Sequence, residues 1–522
     1  MPYIERRYRI AGSTTPGAPC LWRIVLSVAL VVSAWAWTTT SVVAGSRVVD
    51  APEAALTPGY SALPPSLTGD IFSETRYAPV VAETLSGIKS SALYEYVGDL
   101  SGEWPVEIAG APYTLTTRYS FADEAIAMAE SYARQHFEAL DLPTVCHTYP
   151  LRDVERCNIV AEQAGVLEPG RVILLMAHLD SMSNDPMELA PGADDNASGS
   201  AAVMATAEAL SRHDLPYTVR YVLTTGEEQG LYGSRAYAKA LAADDENVVA
   251  VVNLDMIAFN SDDDPVLNVH TRDGTEGEAD AAIAQVFADV VQTYGLDLIP
   301  AIVASNMRLS DHASFWAEGY PAIAATEDFN DFNGENYHKS WDRLATLDIV
   351  YYTDFARAAA ATTLHLAGVI DVASDPILIQ ADEPITLSAV SHLVTEPVTY
   401  TWDLGDGELA YGPVISHTFD SSIGSSVAGY YPVTMTVMHS EGQLSVTRRL
   451  PIRVSNLFLP FMVRPYVPLK AGSEGGRITR HEKTSRNFSG CRLLRLALQD
   501  PPLGAPPLHL VPRGIERLLS SL

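Results

Sequence analysis

The chain has 522 residues, with 34 Lys and Arg against 64 Asp and Glu, a formal net charge of −30. That length holds about two to four domains, and a composition 47% hydrophobic and 19% charged excludes a wholly disordered chain. The acidic balance leaves no surplus of cations for phosphates, which argues against nucleic acid as a partner. Four cysteines are too few for a disulfide scaffold.

At the N-terminus, Arg6, Arg7, Arg9 and Arg23 precede an apolar run from Ile24 to Trp37, and Val42 and Ala44 are the small residues ahead of a cleavage site. The run is shorter than the roughly 20 residues that cross a bilayer as a helix. Residues 1–44 are therefore expected to be a signal peptide, with no stable membrane span after its removal and a secreted, extracellular or surface-associated product. An uncleaved anchor is the alternative. Export would permit a local disulfide between Cys146 and Cys157, which flank a short turn-like stretch; sequence separation alone does not decide it. The Pro- and Ser-containing residues 45–80 read as a linker or pro-segment.

From residue 81 to 370, apolar runs alternate with helical patterns. Val172–Met176, Val219–Leu223, Val248–Leu254 and Pro321–Ala325 read as buried strands, and Ala197–Arg212, Leu231–Ala243, Ala279–Tyr294 and Leu347–Ala367 as helices. That alternation predicts an α/β domain with a mostly parallel central sheet flanked by helices, a fold that places its site beyond the carboxyl ends of the strands. From 375 to 456 the texture changes to short alternating segments separated by turns: Val398–Trp402, Val414–His417, Tyr430–Met438 and Leu444–Val454. These predict a small C-terminal β-sandwich. Residues 457–522, basic at their end and rich in Pro, read as a disordered tail.

Five segments combine strand ends or loops with residues suited to a divalent metal: Met176 to Ser181 (MAHLDS), Pro191 to Gly199 (PGADDNASG), Thr225 to Gly230 (TGEEQG), Asn253 to Met256 (NLDM) and Asn336 to His338 (NYH). Each alone has an ordinary explanation. A His after a strand is usually a hydrogen-bonded structural residue, Asp and Asn favour turns and caps, and paired Glu are usually solvated. Together they supply two His and three carboxylates at corresponding edges of one sheet, the nitrogen and oxygen donors that a pair of zinc ions requires. Without a cation those carboxylates would repel one another and lose hydration.

These segments, with SDHASFW and YHKSWD further on, resemble the secreted two-zinc aminopeptidases (leucyl aminopeptidase-like), within a wider peptidase family that includes relatives of glutamate carboxypeptidase and glutaminyl cyclase. The likeness runs from about Val81 to Gly368. It implies two Zn2+ per chain, with Asp195 bridging them, His178 and Asp255 completing one site, and Glu228 and His338 the other. Glu227 would be the general base, and Asp180 would hydrogen-bond the far nitrogen of His178, as carboxylates behind metal-bound imidazoles do. It also implies a cis peptide after Asp195. One departure stands out: related enzymes often carry a Tyr just before SDH that helps polarise the scissile carbonyl, whereas residues 304–310 here read ASNMRLS. Polarisation then falls to the metal, with Arg308 as a candidate helper. Met307, Phe315 and Phe329 are candidates for a side-chain pocket, with core packing as the alternative for each. Asp262 to Asp264 lack the ligand spacing of calcium loops and read as a solvated turn.

The segments YTWDLGDG, HTF and GYYPVTMTV resemble a PKD-type domain. That likeness implies an immunoglobulin-like sandwich with Trp402 in its core, acting as a spacer or as a surface for protein or polysaccharide. The resulting expectation is a secreted metallo-exopeptidase that removes N-terminal residues from peptide or protein substrates with a water activated by two zinc ions. The alternatives are a carboxypeptidase, dipeptidase or glutaminyl cyclase of the same fold, or a catalytically dead cell-surface binding protein.

Overall fold

The computed structural model describes residues 75–375, 379–391, 398–420 and 430–453. The expected signal peptide, all but the end of the 45–80 linker, and the 457–522 tail lie outside them. Among the described residues no helix is long and apolar enough to cross a membrane.

The chain opens with helices α1 (Pro79–Gly87) and α2 (Ser90–Leu100), a short hairpin β1 (Val106–Ile108) and β2 (Ala111–Tyr113), and helix α3 (Asp123–Ala139). There follow β3 (Thr144–Leu151), β4 (Val154–Gln163), β5 (Glu168–His178), α4 (Gly199–Leu210), β6 (Tyr217–Thr224), α5 (Tyr232–Ala243) and β7 (Val248–Leu254). Then come β8 (Val266–Thr271), α6 (Glu278–Tyr294), β9 (Ile299–Ala304), α7 (His312–Ala317), β10 (Ala322–Glu327) and α8 (Ile349–Leu366). Strands β3 to β10 form one sheet in the order β3-β4-β6-β5-β7-β10-β8-β9. Its middle, β6-β5-β7-β10, is parallel throughout, while β3, β4 and β8 join their inner neighbours antiparallel.

Alternation along β5 shows why the sheet is covered on both faces. Ile173, Leu175 and Ala177 enter one core with α1, α2, α3, α4, α6 and α8, whereas Val172, Leu174 and Met176 enter a second core with α5 and α7. The four buried strands and four helices expected from periodicity lie within a few residues of β5, β6, β7, β10, α4, α5, α6 and α8. The stretch between Cys146 and Cys157 is the end of the β3–β4 hairpin, turning at Arg152 and Asp153, and the two cysteines are bonded, with Cα atoms 5.4 Å apart.

The C-terminal part is an antiparallel sandwich of β11 (Ile370–Asp375), β12 (Ile379–Gln380), β13 (Pro384–Ser391), β14 (Thr399–Asp403), β15 (Leu409–Tyr411), β16 (Val414–Thr418), β17 (Tyr430–Met438) and β18 (Gln443–Arg453), in which β12 and β18 run parallel. Its sheets are β11-β13-β16 and β12-β18-β17-β14-β15, closed around Trp402, Phe419, Val433, Met435 and Val437. It starts at Ile370, ahead of residue 375, because Ile370 and Val372 belong to its core. It also packs directly on the α/β part rather than hanging from it. Leu167, from the turn before β5, sits in the sandwich core, and Arg448 of β18 pairs with the fully buried Asp371 and with Glu83 of α1.

Candidate metal centre

The carboxyl ends of the four central parallel strands bring the five segments together. His178 is the last residue of β5, Glu227 and Glu228 follow β6, and Asp255 follows β7. Asp195 sits in the tight turn Ala193–Ser198 that leads into α4, and its bond to Asn196 is cis, as the resemblance implies. His338 lies in the loop after β10. It and Met256, next to Asp255, have φ of 56° and 53°, a left-handed conformation that costs roughly 1–2 kcal/mol for a residue with a Cβ.

Asp195 is the hub. One of its carboxylate oxygens lies 3.3 Å from His178 Nε2 and the other 3.3 Å from His338 Nε2. Asp255 Oδ1 is 3.3 Å from the same nitrogen of His178, and Glu228 Oε2 is 2.9 Å from that of His338. Two donor sets result, His178–Asp195–Asp255 and Asp195–Glu228–His338, with the donor atoms of each within 4.8 Å of one another. Among the described residues no Lys or Arg pairs with these three carboxylates, and Glu228 Oε1 is buried without a hydrogen-bond partner. Two imidazoles and three carboxylates, short of positive charge and sharing one member, fit a pair of divalent cations with a preference for nitrogen and oxygen.

Crowding leaves its mark on the acid–base properties of these groups. For His178 and His338 burial works to lower the pKa, but the surrounding carboxylates override it: Asp255 and Glu227 hold His178 well above its ordinary range, and Asp195 and Glu228 lift His338 to about 10. Burial works to raise Asp195, yet hydrogen bonds from both imidazoles hold it below the usual carboxylate range. Glu228 is pushed up to about 8 by burial and by Asp195, and Glu227 well above its ordinary value, mainly by burial.

Asp180 does not act on His178 through its carboxylate alone. The carbonyl oxygen of Asp180 accepts from His178 Nδ1 at 3.0 Å, while Oδ1 stands off at 3.7 Å. The carboxylate instead secures the loop that carries Glu227, accepting from Ser120 Oγ at 3.0 Å and from the Glu227 backbone N–H at 3.3 Å. Thr225, two residues before Glu227, is tied to the β3–β4 hairpin: its N–H donates to Asn158 Oδ1 (3.1 Å), its hydroxyl to the Cys157 carbonyl (3.0 Å), and its carbonyl accepts from Tyr149 (2.6 Å).

Sequence reasoning did not single out the support behind Asp195. The Asp342 carboxylate accepts from the backbone N–H groups of Asp194 (3.0 Å) and Asp195 (3.1 Å). Asn333 donates through Nδ2 to Asp194 at 2.7 Å and through its backbone to Glu327 at 2.8 Å. Burial and the charge of Asp194 raise Glu327 well above the carboxylate range. The one available signal was Asp342 itself, four residues after His338 in YHKSWD. Tyr337 was missed as well: its ring stacks on His338 with centroids 3.7 Å apart, and after burial the groups that raise its pKa are Asp195, Glu228, Asp255 and Glu227. Arg308 lies instead over the ring of Trp316. Phe315 is wholly buried in the core, whereas Phe329 is exposed beside His270 and Phe332.

Residues 158–363 match the model of peptidase family M28, and residues 369–452 that of the PKD domain. The α/β segment is similar to peptidase family M28. A probable zinc metalloprotease of Pyrenophora teres f. teres (strain 0-1) is 29% identical to this chain over 252 residues, covering 42% of this chain and 52% of that protein. Leupeptin-inactivating enzyme 1 of Streptomyces exfoliatus is 26% identical over 337 residues, covering 63% and 66%. Among solved structures, the LapA aminopeptidase of Legionella pneumophila aligns at a TM-score of 0.49 and 20% identity, over 60% of this chain and 78% of that one. The chain spans about half the length of the curated zinc metalloproteases it matches. All five candidate metal donors and Glu227 fall inside the M28 segment.

Proposed function

We propose that the protein is a secreted aminopeptidase that holds two zinc ions and hydrolyses the N-terminal bond of peptides. The observation that carries this reading is the position of Asp195, whose two oxygens each face a different imidazole and so serve both donor sets. His178 and Asp255 would complete one site, and Glu228 and His338 the other. Zinc bound there supplies Lewis acidity and brings the pKa of a water close to neutrality.

The chain's own groups account for the rest. Glu227 takes the proton from the attacking water and delivers it to the leaving amine; its partly buried surroundings, which raise its proton affinity, suit it to both tasks. The Asp180 carbonyl keeps the His178 proton on Nδ1 and so leaves Nε2 free to bind metal. Tyr337, whose ring stacks on His338 with centroids 3.7 Å apart, is the hydroxyl we assign to the oxygen of the scissile carbonyl, a role that ASNMRLS leaves open. The bonded Cys146 and Cys157 support an oxidising destination. The PKD-type domain offers a surface for protein or polysaccharide without chemistry of its own.

The test is hydrolysis of amino-acid amides and of one tripeptide by purified protein, with zinc measured per chain. Two zinc ions, release of the N-terminal residue and loss of activity on chelation are expected. Release of the C-terminal residue would instead identify a carboxypeptidase. A folded protein free of zinc would identify a dead fold.

A further inference from the structure

Arg118 lies in the loop between β2 and α3, upstream of the segment matched by the M28 model. It is wholly buried, and its guanidinium meets main-chain carbonyls. Nε donates to Leu179 at 2.7 Å, Nη1 to Leu100 and to Pro191, both at 2.6 Å, and Nη2 to Gly192 at 2.9 Å. Leu100 is the last residue of α2, where a helix leaves carbonyls without partners. The other three acceptors belong to the metal centre's own scaffold: Leu179 follows His178, and Pro191 and Gly192 open the turn that carries Asp195. The backbone of Arg118 adds to the tie. Its N–H donates to Ser181 Oγ at 3.2 Å, and its carbonyl accepts from the Ser181 N–H at 3.3 Å.

We propose that Arg118 is a positioning residue of the metal centre, its planar fork setting the distance between the chain segments that present His178 and Asp195. This rests on the two-zinc reading above. A guanidinium can bridge carbonyls from different segments in one plane, which a point-charge ammonium cannot do. The turn is built around it: Gly192 has φ +48°, and a Cβ there would lie 3.2 Å from Arg118 Nη2 and 2.2 Å from the Asp195 carbonyl. A buried cation held by neutral acceptors needs its charge balanced nearby. Burial lowers the Arg118 pKa to about 10, and Asp342, Asp180, Asp195 and Glu228 work against that fall. Its charge is thus balanced by the same carboxylates that its hydrogen bonds help to place.

The experiment compares Arg118→Lys with wild-type full-length protein. Zinc affinity is measured by chelator competition, the visible spectrum after cobalt substitution, kcat and KM on an amino-acid amide, and unfolding of the metal-free protein. We expect a folded Arg118→Lys that binds zinc at least tenfold more weakly, shows an altered cobalt spectrum, and loses at least tenfold in kcat with KM within threefold of wild type. Wild-type zinc affinity and cobalt spectrum in Arg118→Lys overturn the proposal, whatever happens to its stability. Should Arg118→Lys not fold, Arg118→Ala prepared with methylguanidinium is expected to recover zinc binding. Failure of both to fold also overturns it, since the residue would then serve the whole domain. Absence of zinc from the wild type sinks the metal reading itself, and is told apart by the control.

Discussion

Glu227 and Glu228 are neighbours in the chain, yet their surroundings differ, and we propose different work for each. Glu228 touches His338 at 2.9 Å, while the Glu227 backbone is held by Asp180. Glu227→Gln keeps the shape and removes the proton shuttle, so kcat should fall by about 10²–10⁴-fold with zinc content unchanged; a matching loss of zinc would mean that Glu227 is a ligand. Tyr337→Phe removes one donor and should lower kcat by about 10²-fold while the protein stays folded and zinc-loaded. Unchanged kcat would remove Tyr337 from the mechanism. The imidazoles carry a third expectation. In the metal-free protein His338 is raised to about 10 and His178 well above 6.5, so at pH 7 both hold a proton. Their pairing with the carboxylates then contributes stability that is complete below pH 6.5 and, for His338, is lost as pH rises through about 10. Zinc needs neutral nitrogen, so its uptake must expel those protons and its affinity must fall as pH falls. Calorimetry in buffers of different ionisation enthalpy should record at least two protons released per chain at pH 7, from the two imidazoles and from Glu228, which is itself raised to about 8. Uptake without proton release would show that these imidazoles are not the ligands.

At the scale of elements, the legible parts of the sequence were those whose pattern is local. β5 and β7 are continuous apolar runs because both their faces are covered, and α8 shows helical spacing from its Asp348 cap onward. Of the candidate donors, His178 and Asp255 were legible because they stand at the ends of these same strands. The hairpin β3–β4 was not, since its residues alternate poorly and its role is to grip Thr225 from across the sheet. Nor were Asn333 and Asp342, whose function exists only once the loop after β10 folds back onto the turn of Asp195. No spacing in the chain announces a hydrogen bond between residues 147 positions apart. Asp342→Ala tests that contact. It strips a buried acceptor from two backbone N–H groups, at about 1–3 kcal/mol for each group left without a partner. The variant should melt earlier and bind zinc less tightly; an unchanged zinc affinity would mean that the turn holds Asp195 without help.

For the whole molecule, the question is whether the PKD-type domain is carried along or built in. A spacer would join the α/β part through a linker and little else. Here a charged joint links the two parts: Arg448 of β18 meets Glu83 of α1 through Nη1 at 3.0 and 2.9 Å, and within the sandwich it meets Asp371 through Nε at 2.5 Å and Nη2 at 2.7 Å. Asp371 is fully buried and also accepts from the Val80 N–H at 2.7 Å, so a single carboxylate fastens the start of α1, the first sandwich strand and β18. His439 and Gly442 close against the Leu167 and Val166 carbonyls beside it, where a Cβ on Gly442 would come within 1.9 Å of Val166 O. Breaking a buried pair from one side leaves the other charge stranded, at about 3–5 kcal/mol. Asp371 retains its backbone donors, so Arg448→Met should cost about 3 kcal/mol, near the lower end of that range. The joint is remote in the chain from every metal donor, so activity at 25 °C should survive the change while thermal unfolding moves down. Calorimetry on the wild type should show the sandwich and the α/β part unfolding together, and Arg448→Met should separate them. Two independent transitions already present in the wild type, unmoved by the substitution, would return the domain to the status of a passenger.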